Sequence, residues 1–269
     1  MRIIMQTVTN QSIALAVRRE IETRLTAIEE AHDVRILLAV ESGSRAWGFP
    51  SPDSDYDVRF IYVRPRAWYL SLKPGRDVIE TPIEDDIDLN GWDIRKALGL
   101  LLKSNAVVSE WIESPIRYRP VHSAVAPLAA LADQLLDAPG LAHHYANLGR
   151  NAAERWLEDH GDVPVKRYFY ALRPALAIRC MRLNGNVRPP MNLQALVELS
   201  ALPDCMRDEV AKLVEAKRQS NELSNATRVP ALDDLIREEL ARAGELPERG
   251  LDIDGVTAAD HLFLELVDT

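Results

Sequence analysis

Apolar positions recur along this chain with two different periods. Over residues 11–31, Ile13, Ala16, Val17, Ile21, Leu25 and Ile28 fall three or four apart, so they line one stripe of an amphipathic helix. Residues 34–40 are almost continuously apolar, which predicts a buried strand ending at the Gly43 turn. A short helix is expected over 44–47, a loop over 50–53, and a second strand over 57–62. In that strand Val58, Phe60 and Tyr62 share one face, with Ile61 and Val63 on the other. Residues 65–74 read as a connection with one helical turn near 68–72, followed by short strands over 77–80 and 87–92. Asp93 then stands where a helix N-cap belongs, before helices over 93–103 and 107–112. Beyond Tyr118 the strand signal stops, and helices are predicted over 124–136, 141–159, 165–183, 193–199, 205–219, 232–243 and 258–267.

The switch from mixed to purely helical patterning predicts an α/β (α+β) unit with a small mixed sheet over residues 1–120. An all-helical domain over 121–269 follows, with the boundary near 119–123. At 269 residues the chain can bury a full core, and 47% hydrophobic with 27% charged residues are the proportions of a globular protein. The N-terminal stretch lacks the basic start and apolar core of a signal peptide, and no apolar run reaches membrane-spanning length. Cys180 and Cys205 stand apart, without a CxxC or Cys/His cluster, so a reduced cytoplasmic setting is expected and a zinc site is not. The net charge of −9 argues against a protein that coats nucleic acid, though not against a local basic channel. Candidates for such a channel are Arg64, Arg66, Lys73, Arg76, Arg95, Lys96 and Lys103, and the basic residues between 166 and 188.

Chemistry concentrates in ESGSRAWGFPSPDSDYDVRFIYV, residues 41–63. Residues two apart on a strand share a face, so Asp55 and Asp57 aim both carboxylates at one point. Like charges that close repel unless a cation lies between them, and an oxygen-seeking ion such as Mg²⁺, completed by substrate phosphates, is the ordinary solution. Gly43, Ser44 and Arg45 upstream offer backbone N–H groups, a hydroxyl and a guanidinium, the ingredients of an anion cradle. Two Asp residues beside Gly, Ser and Pro also suit a plain solvated turn. The apolar strand that follows at once favours a site, because carboxylates at the mouth of a buried strand are costly without a partner.

Gly43-Ser44, a spacer, then Asp55-Tyr56-Asp57 resembles the hallmark of the DNA polymerase β-like nucleotidyltransferase superfamily. The longer GSRAWGFPSPDSDYDVRFIYV, with GWDIRKALGLLLKSNAVVSEWIESPIRY, KRYFYALRPALAIR and NVRPPM, is similar to one branch, the RNA-repair-pathway DNA polymerase β family. The resemblance covers most of the chain. It implies metal-assisted transfer of a nucleoside monophosphate from a nucleoside triphosphate, such as ATP, to an acceptor. It also implies a third carboxylate on a neighbouring strand, with Glu84, Asp85, Asp86, Asp88 and Asp93 as candidates. Asp88 lies inside the strand-like IDLNGW, Glu84, Asp85 and Asp86 suit the preceding turn, and Asp93 has the competing task of helix cap, so Asp88 is preferred with Asp86 and Asp93 left open.

In the helical half, Lys166, Tyr170 and Arg173 fall at i, i+4 and i+7 on one helix face, with Pro174 expected to kink the helix just beyond. That stripe fits the opposite wall of a triphosphate cleft, or alternatively a surface stripe with a half-buried tyrosine. Lys103-Ser104-Asn105 is a further candidate for the cleft, while Trp47, Trp92 and Trp111 suit the core. His143 and His144 are adjacent and so point apart, and neither a Walker loop nor a GxGxxG fingerprint is present. The expected site is thus Asp55, Asp57 and Asp88 as catalytic and metal-holding acids for Mg²⁺ or Mn²⁺, with Gly43, Ser44, Arg45, Lys166, Tyr170 and Arg173 toward the nucleotide. An RNA end, a protein side chain and a small molecule compete as acceptor, and a catalytically silent nucleotide-binding or antitoxin-like module is the rival from another class. No membrane partner is expected.

Overall fold

The computed structural model describes residues 13–73, 75–154, 156–157, 161–185, 187–219, 225–248 and 254–268. Residues 11 and 12 of the helix expected over 11–31, residues 155, 158 and 159 of that over 141–159 and residues 1–12 of the N-terminal stretch read for a signal peptide lie outside the described residues. Helix α1 (Leu15–His32) leads into β1 (Arg35–Glu41), the short α2 (Gly43–Trp47) and β2 (Tyr56–Val63). Then come α3 (Arg66–Tyr69), β3 (Val78–Glu80), β4 (Ile87–Asp93), α4 (Ile94–Leu101) and α5 (Ala106–Glu113). The four strands form one sheet in the order β1-β2-β4-β3, with β1 antiparallel to β2, β2 parallel to β4, and β3 antiparallel to β4. The small mixed sheet is therefore as the patterning predicts. Asp93 accepts the Arg95 backbone N–H and so does cap α4, which accounts for its burial.

Alternation along β2 sends its residues into two different cores. Val58, Phe60 and Tyr62 meet Ile21, Leu25 and Ile28 of α1, together with Ile79 and Leu89. Ile61 and Val63 face the other way, toward Ile94, Leu98, Val108, Trp111 and Ile112 of α4 and α5. Helices α6 (Val125–Gln134) and α12 (Gly255–Val267) bury Leu128, Leu131, Leu262 and Leu266 in that same core. A division at residue 120 would assign both helices to the helical half, yet their apolar faces close the sheet, and the chain end returns to the first unit.

The helical core is built from α7 (Ala138–Ala153), α8 (Val165–Leu183), α9 (Leu193–Leu199), α10 (Asp204–Arg218) and α11 (Pro230–Ala241). Helix α8 runs on through Pro174 over the whole predicted span 165–183: one backbone bond is lost, but dense packing on both flanks holds the segment. A two-residue pair, β5 (Val163–Pro164) with β6 (Asn225–Ala226), interrupts a half that reads from sequence as purely helical. Phe49, from the loop after α2, stacks on Phe169 of α8 with ring centroids 4.3 Å apart. That contact ties the loop that follows the Gly-Ser turn to the helical half. Among the described residues no helix is long and apolar enough to cross a membrane.

Candidate active site

Parallel pairing puts Asp57 of β2 directly beside Asp88 of β4. Register partners project from the same face, so the two carboxylates are neighbours by construction. Asp86 and its neighbour Asp85 have positive φ, 60° and 53°, and form the turn before β4; Asp85 pairs outward with Arg24. Asp93 is consumed as a cap and also accepts the Tyr69 hydroxyl. Of the acids considered for the third position, Asp88 is the one the sheet sets against Asp57.

Between these two carboxylates lies Arg59, which the sequence reading did not single out. Its Nη2 donates to Asp57 Oδ1 at 3.0 Å and to Asp88 Oδ2 at 2.7 Å, while Nη1 donates to the backbone oxygens of Asp88 and Val58 at 2.9 and 3.1 Å. The signal was present, since Arg59 stands two residues after Asp57 and hence on its face. Among the described residues no three His, Cys, Asp or Glu side chains form a group able to hold a metal. In place of an assembled set of Asp55, Asp57 and Asp88, two of the acids converge on one positive nitrogen and the third, Asp55, is exposed beside them.

Gly43 shows why small residues precede the acids. Its φ is +57°, and a Cβ there would stand 1.9 Å from Asp57 Oδ2, so only glycine permits both the turn and the approach of the carboxylate. Ser44 is buried next to it. Arg45 turns its guanidinium back on the loop, donating to the Ser54 and Asp55 backbone oxygens at 2.6 and 3.2 Å and lying 4.0 Å over the Tyr56 ring. It thereby fixes the approach to Asp55.

A second unanticipated residue is Glu41, the last of β1 and fully buried. Its Oε1 accepts the Asp57 backbone N–H at 2.9 Å, and its Oε2 accepts the Tyr118 hydroxyl. The Asp57 carbonyl in turn accepts the Ser42 N–H at 2.8 Å, so the backbone of Asp57 is held on both sides. Burial pushes the Glu41 carboxyl up to about 8 against the pull of these donors. Burial likewise raises the Asp57 carboxyl, with the charges of Asp88 and Asp55 adding to the rise and those of Arg59 and Lys166 opposing it. An acid ending an apolar strand is a recognisable oddity, but its partner Tyr118 lies 77 residues away.

The helical stripe divides. Lys166 lies close enough for its charge to act on Asp57, and Tyr170, 39% exposed, meets Trp47 edge-on at 5.1 Å. Arg173 is 6% exposed: it pairs with Glu110, donates to the Met191 oxygen and lies 4.2 Å over the Trp47 ring. About two helical turns of α8 thus pass from the edge of the acidic cluster into the core. Trp111 is buried against Trp92, as expected, and Asn105 caps α5 through Val107 N–H rather than lining the cleft. Arg66, Arg76 and Lys96 pair with Asp268, Glu80 and Asp77, away from the acidic pair, so they do not extend the site. The loop from Gly48 is strapped to the helical half by Gln194, Arg218 and the buried Lys217, which donate to the Gly48 oxygen and to Ser51.

Together these features define a mixed-sheet α/β protein whose parallel strand pair presents two register-matched carboxylates against a glycine-serine turn. The chain belongs to the RNA repair pathway DNA polymerase beta family, whose model matches residues 17–265. It is also similar to Bacillus subtilis (strain 168) YcgL, which is named as an uncharacterized protein. The two are 41% identical over 229 residues, 85% of this chain and 87% of that one.

Proposed function

We propose that the protein is a nucleotidyltransferase that moves a nucleoside monophosphate from a nucleoside triphosphate to an acceptor hydroxyl and releases pyrophosphate. The observation that carries this reading is the contact of Gly43 with the carboxylate of Asp57, which joins the phosphate-side turn to an acid whose register partner is Asp88. Those two acids already converge on one cation, the Arg59 guanidinium, so the donor set fits a divalent ion. Asp57 and Asp88, with Asp55 drawn in from beside them, would hold Mg²⁺ or Mn²⁺, which when bound neutralises phosphate charge and acidifies an attacking hydroxyl.

The remaining work falls to the chain itself. The Gly43-Ser44 turn receives the outer phosphates, and Arg45 keeps Asp55 at the mouth of the strand. Lys166 offsets negative charge opposite Asp57, and Tyr170, braced by Trp47, offers a ring to the base or sugar. Asp88 is the acceptor-side carboxylate and takes the hydroxyl proton. The acceptor oxygen then bonds to the α-phosphorus as the bond to the bridging oxygen breaks, and pyrophosphate leaves with that electron pair. The family's description favours an RNA end as acceptor. The net charge of −9 favours a protein side chain or small molecule as the alternative, because phosphate contacts reward basic surfaces.

Incubation with each α-labelled nucleoside triphosphate, with Mg²⁺ or Mn²⁺ and with RNA, protein or no acceptor, tests the proposal. Label should move to an acceptor with wild type and not with Asp57→Asn. Nucleotide binding without transfer under every condition would instead support the silent module.

A further inference from the structure

The Asp57–Asp88 pair is balanced by a residue of the chain itself. Arg59 is only 18% exposed, and its four donor contacts divide cleanly: Nη1 is anchored on backbone oxygens of the two strands, while Nη2 is given wholly to the two carboxylates. The anchored nitrogen fixes the guanidinium plane, and the other nitrogen falls where a shared cation between register-matched acids has to lie. We infer that Arg59 is an internal counter-cation that holds the place of a divalent ion at Asp57 and Asp88, so that a metal binds this pair only as the guanidinium withdraws. This inference rests on the metal-holding reading of the site given above.

Two consequences follow from the charges. With Arg59 in place, two carboxylates are already half neutralised, and Lys166 acts on Asp57 from α8 as well. A free divalent ion must displace a charge-assisted contact and coexist with a nearby arginine, both of which weaken its binding. A metal that arrives on a triphosphate meets a different balance, since the phosphates bring their own negative charge and give the released guanidinium a new partner. Arg59 therefore favours entry of metal together with nucleotide over metal alone.

The test is direct Mn²⁺ binding, read from the loss of the free-ion electron paramagnetic signal, with and without a non-hydrolysable triphosphate. Without nucleotide, Arg59→Gln is expected to bind Mn²⁺ roughly tenfold to a hundredfold more tightly than wild type, the scale of a lost charge-assisted contact. Arg59→Lys, which keeps the charge but cannot serve both acids and the backbone together, should fall between them. The nucleotide should enhance Mn²⁺ binding most in wild type and least in Arg59→Gln. Melting temperatures in chelator and in Mn²⁺ give a second reading, because the rise on adding metal should be larger for Arg59→Gln. Equal or weaker Mn²⁺ binding by both variants, with wild type binding normally, overturns the inference and makes Arg59 an aligner of the acids, leaving the transferase reading intact. Failure of all three proteins to bind Mn²⁺ even with nucleotide overturns both.

Discussion

The Cα of Gly43 lies against the carboxylate of Asp57, so close that a methyl group on it would stand 1.9 Å from Oδ2. The same glycine has φ +57°, a conformation that costs an L-residue roughly 1 kcal/mol or more. Gly43→Ala should therefore displace Asp57 and reduce transfer at least a hundredfold, while lowering stability by about 1–3 kcal/mol. Gly99 of α4 is the control, since a Cβ there meets nothing within 4 Å. Gly99→Ala should leave activity unchanged and raise stability by up to ~1 kcal/mol. Steady-state rates and urea titrations of both variants check this, and an active Gly43→Ala would break the link between turn and acid.

Asp88 and Asp57 sit side by side, and the proposed mechanism gives them different parts of the reaction. Asp57→Asn should remove activity, whereas Asp88→Asn should lower kcat with little change in triphosphate KM, because its task concerns the acceptor. Asp86, in the left-handed turn before β4, should tolerate Asn. Arg59 changes the expectation for stability: removing one acid relieves repulsion but also removes half of the arginine's pairing, so each variant should stay within ~1 kcal/mol of wild type. Kinetics of the three variants, with denaturation midpoints, decide it. A selective kcat loss in Asp86→Asn would place the third acid elsewhere.

Glu41 links stability to pH. Its carboxyl is moved from an ordinary 4.5 to about 8, chiefly by burial, so the folded state binds a proton that the unfolded state releases. The contribution is fully present below about 4.5, declines as pH rises toward 8 at up to ~1.4 kcal/mol per unit, and is constant above that. Glu41→Gln mimics the protonated acid and should flatten this slope. The difference between variant and wild type measured by urea denaturation should move in the variant's favour from pH 5 to pH 8. A pH-independent difference would assign the slope to other groups.

The elements were legible in the sequence because their signals are local. Helical spacing in α8 and the apolar alternation of β2 each lie within a few residues, and the predicted span of α8 matches the observed one. Gly43-Ser44 and Asp55-Tyr56-Asp57 were legible for the same reason. Asp88 required one added step, strand alternation, and the parallel register places it beside Asp57. What stayed hidden depends on distant partners: Glu41 needs Tyr118, Arg173 needs Glu110, and the helices α6 and α12 close a core whose strands lie far away in sequence. A helical stripe reports that Lys166, Tyr170 and Arg173 share a face, but not that the face dips into the interior before Arg173.

That dip separates the roles of Lys166 and Arg173 and gives the sharpest contrast in the helical half. Arg173 is buried, and its guanidinium serves Glu110, the Met191 oxygen and the Trp47 ring. Arg173→Ala would leave the Glu110 carboxylate buried without its partner, which costs about 3–5 kcal/mol when one member of such a pair is deleted. It would also free Trp47 of α2, and through it the turn that carries Gly43, so any activity loss should track the loss of folded protein. Lys166 is only partly buried and faces Asp57, so Lys166→Ala should leave stability within ~1 kcal/mol and weaken triphosphate binding by about 1–2 kcal/mol. Calorimetric titration with a non-hydrolysable triphosphate, paired with urea denaturation, separates the two. Lowered affinity in fully folded Arg173→Ala, with Lys166→Ala unaffected, would reverse the assignment and put the inner end of α8 in contact with nucleotide.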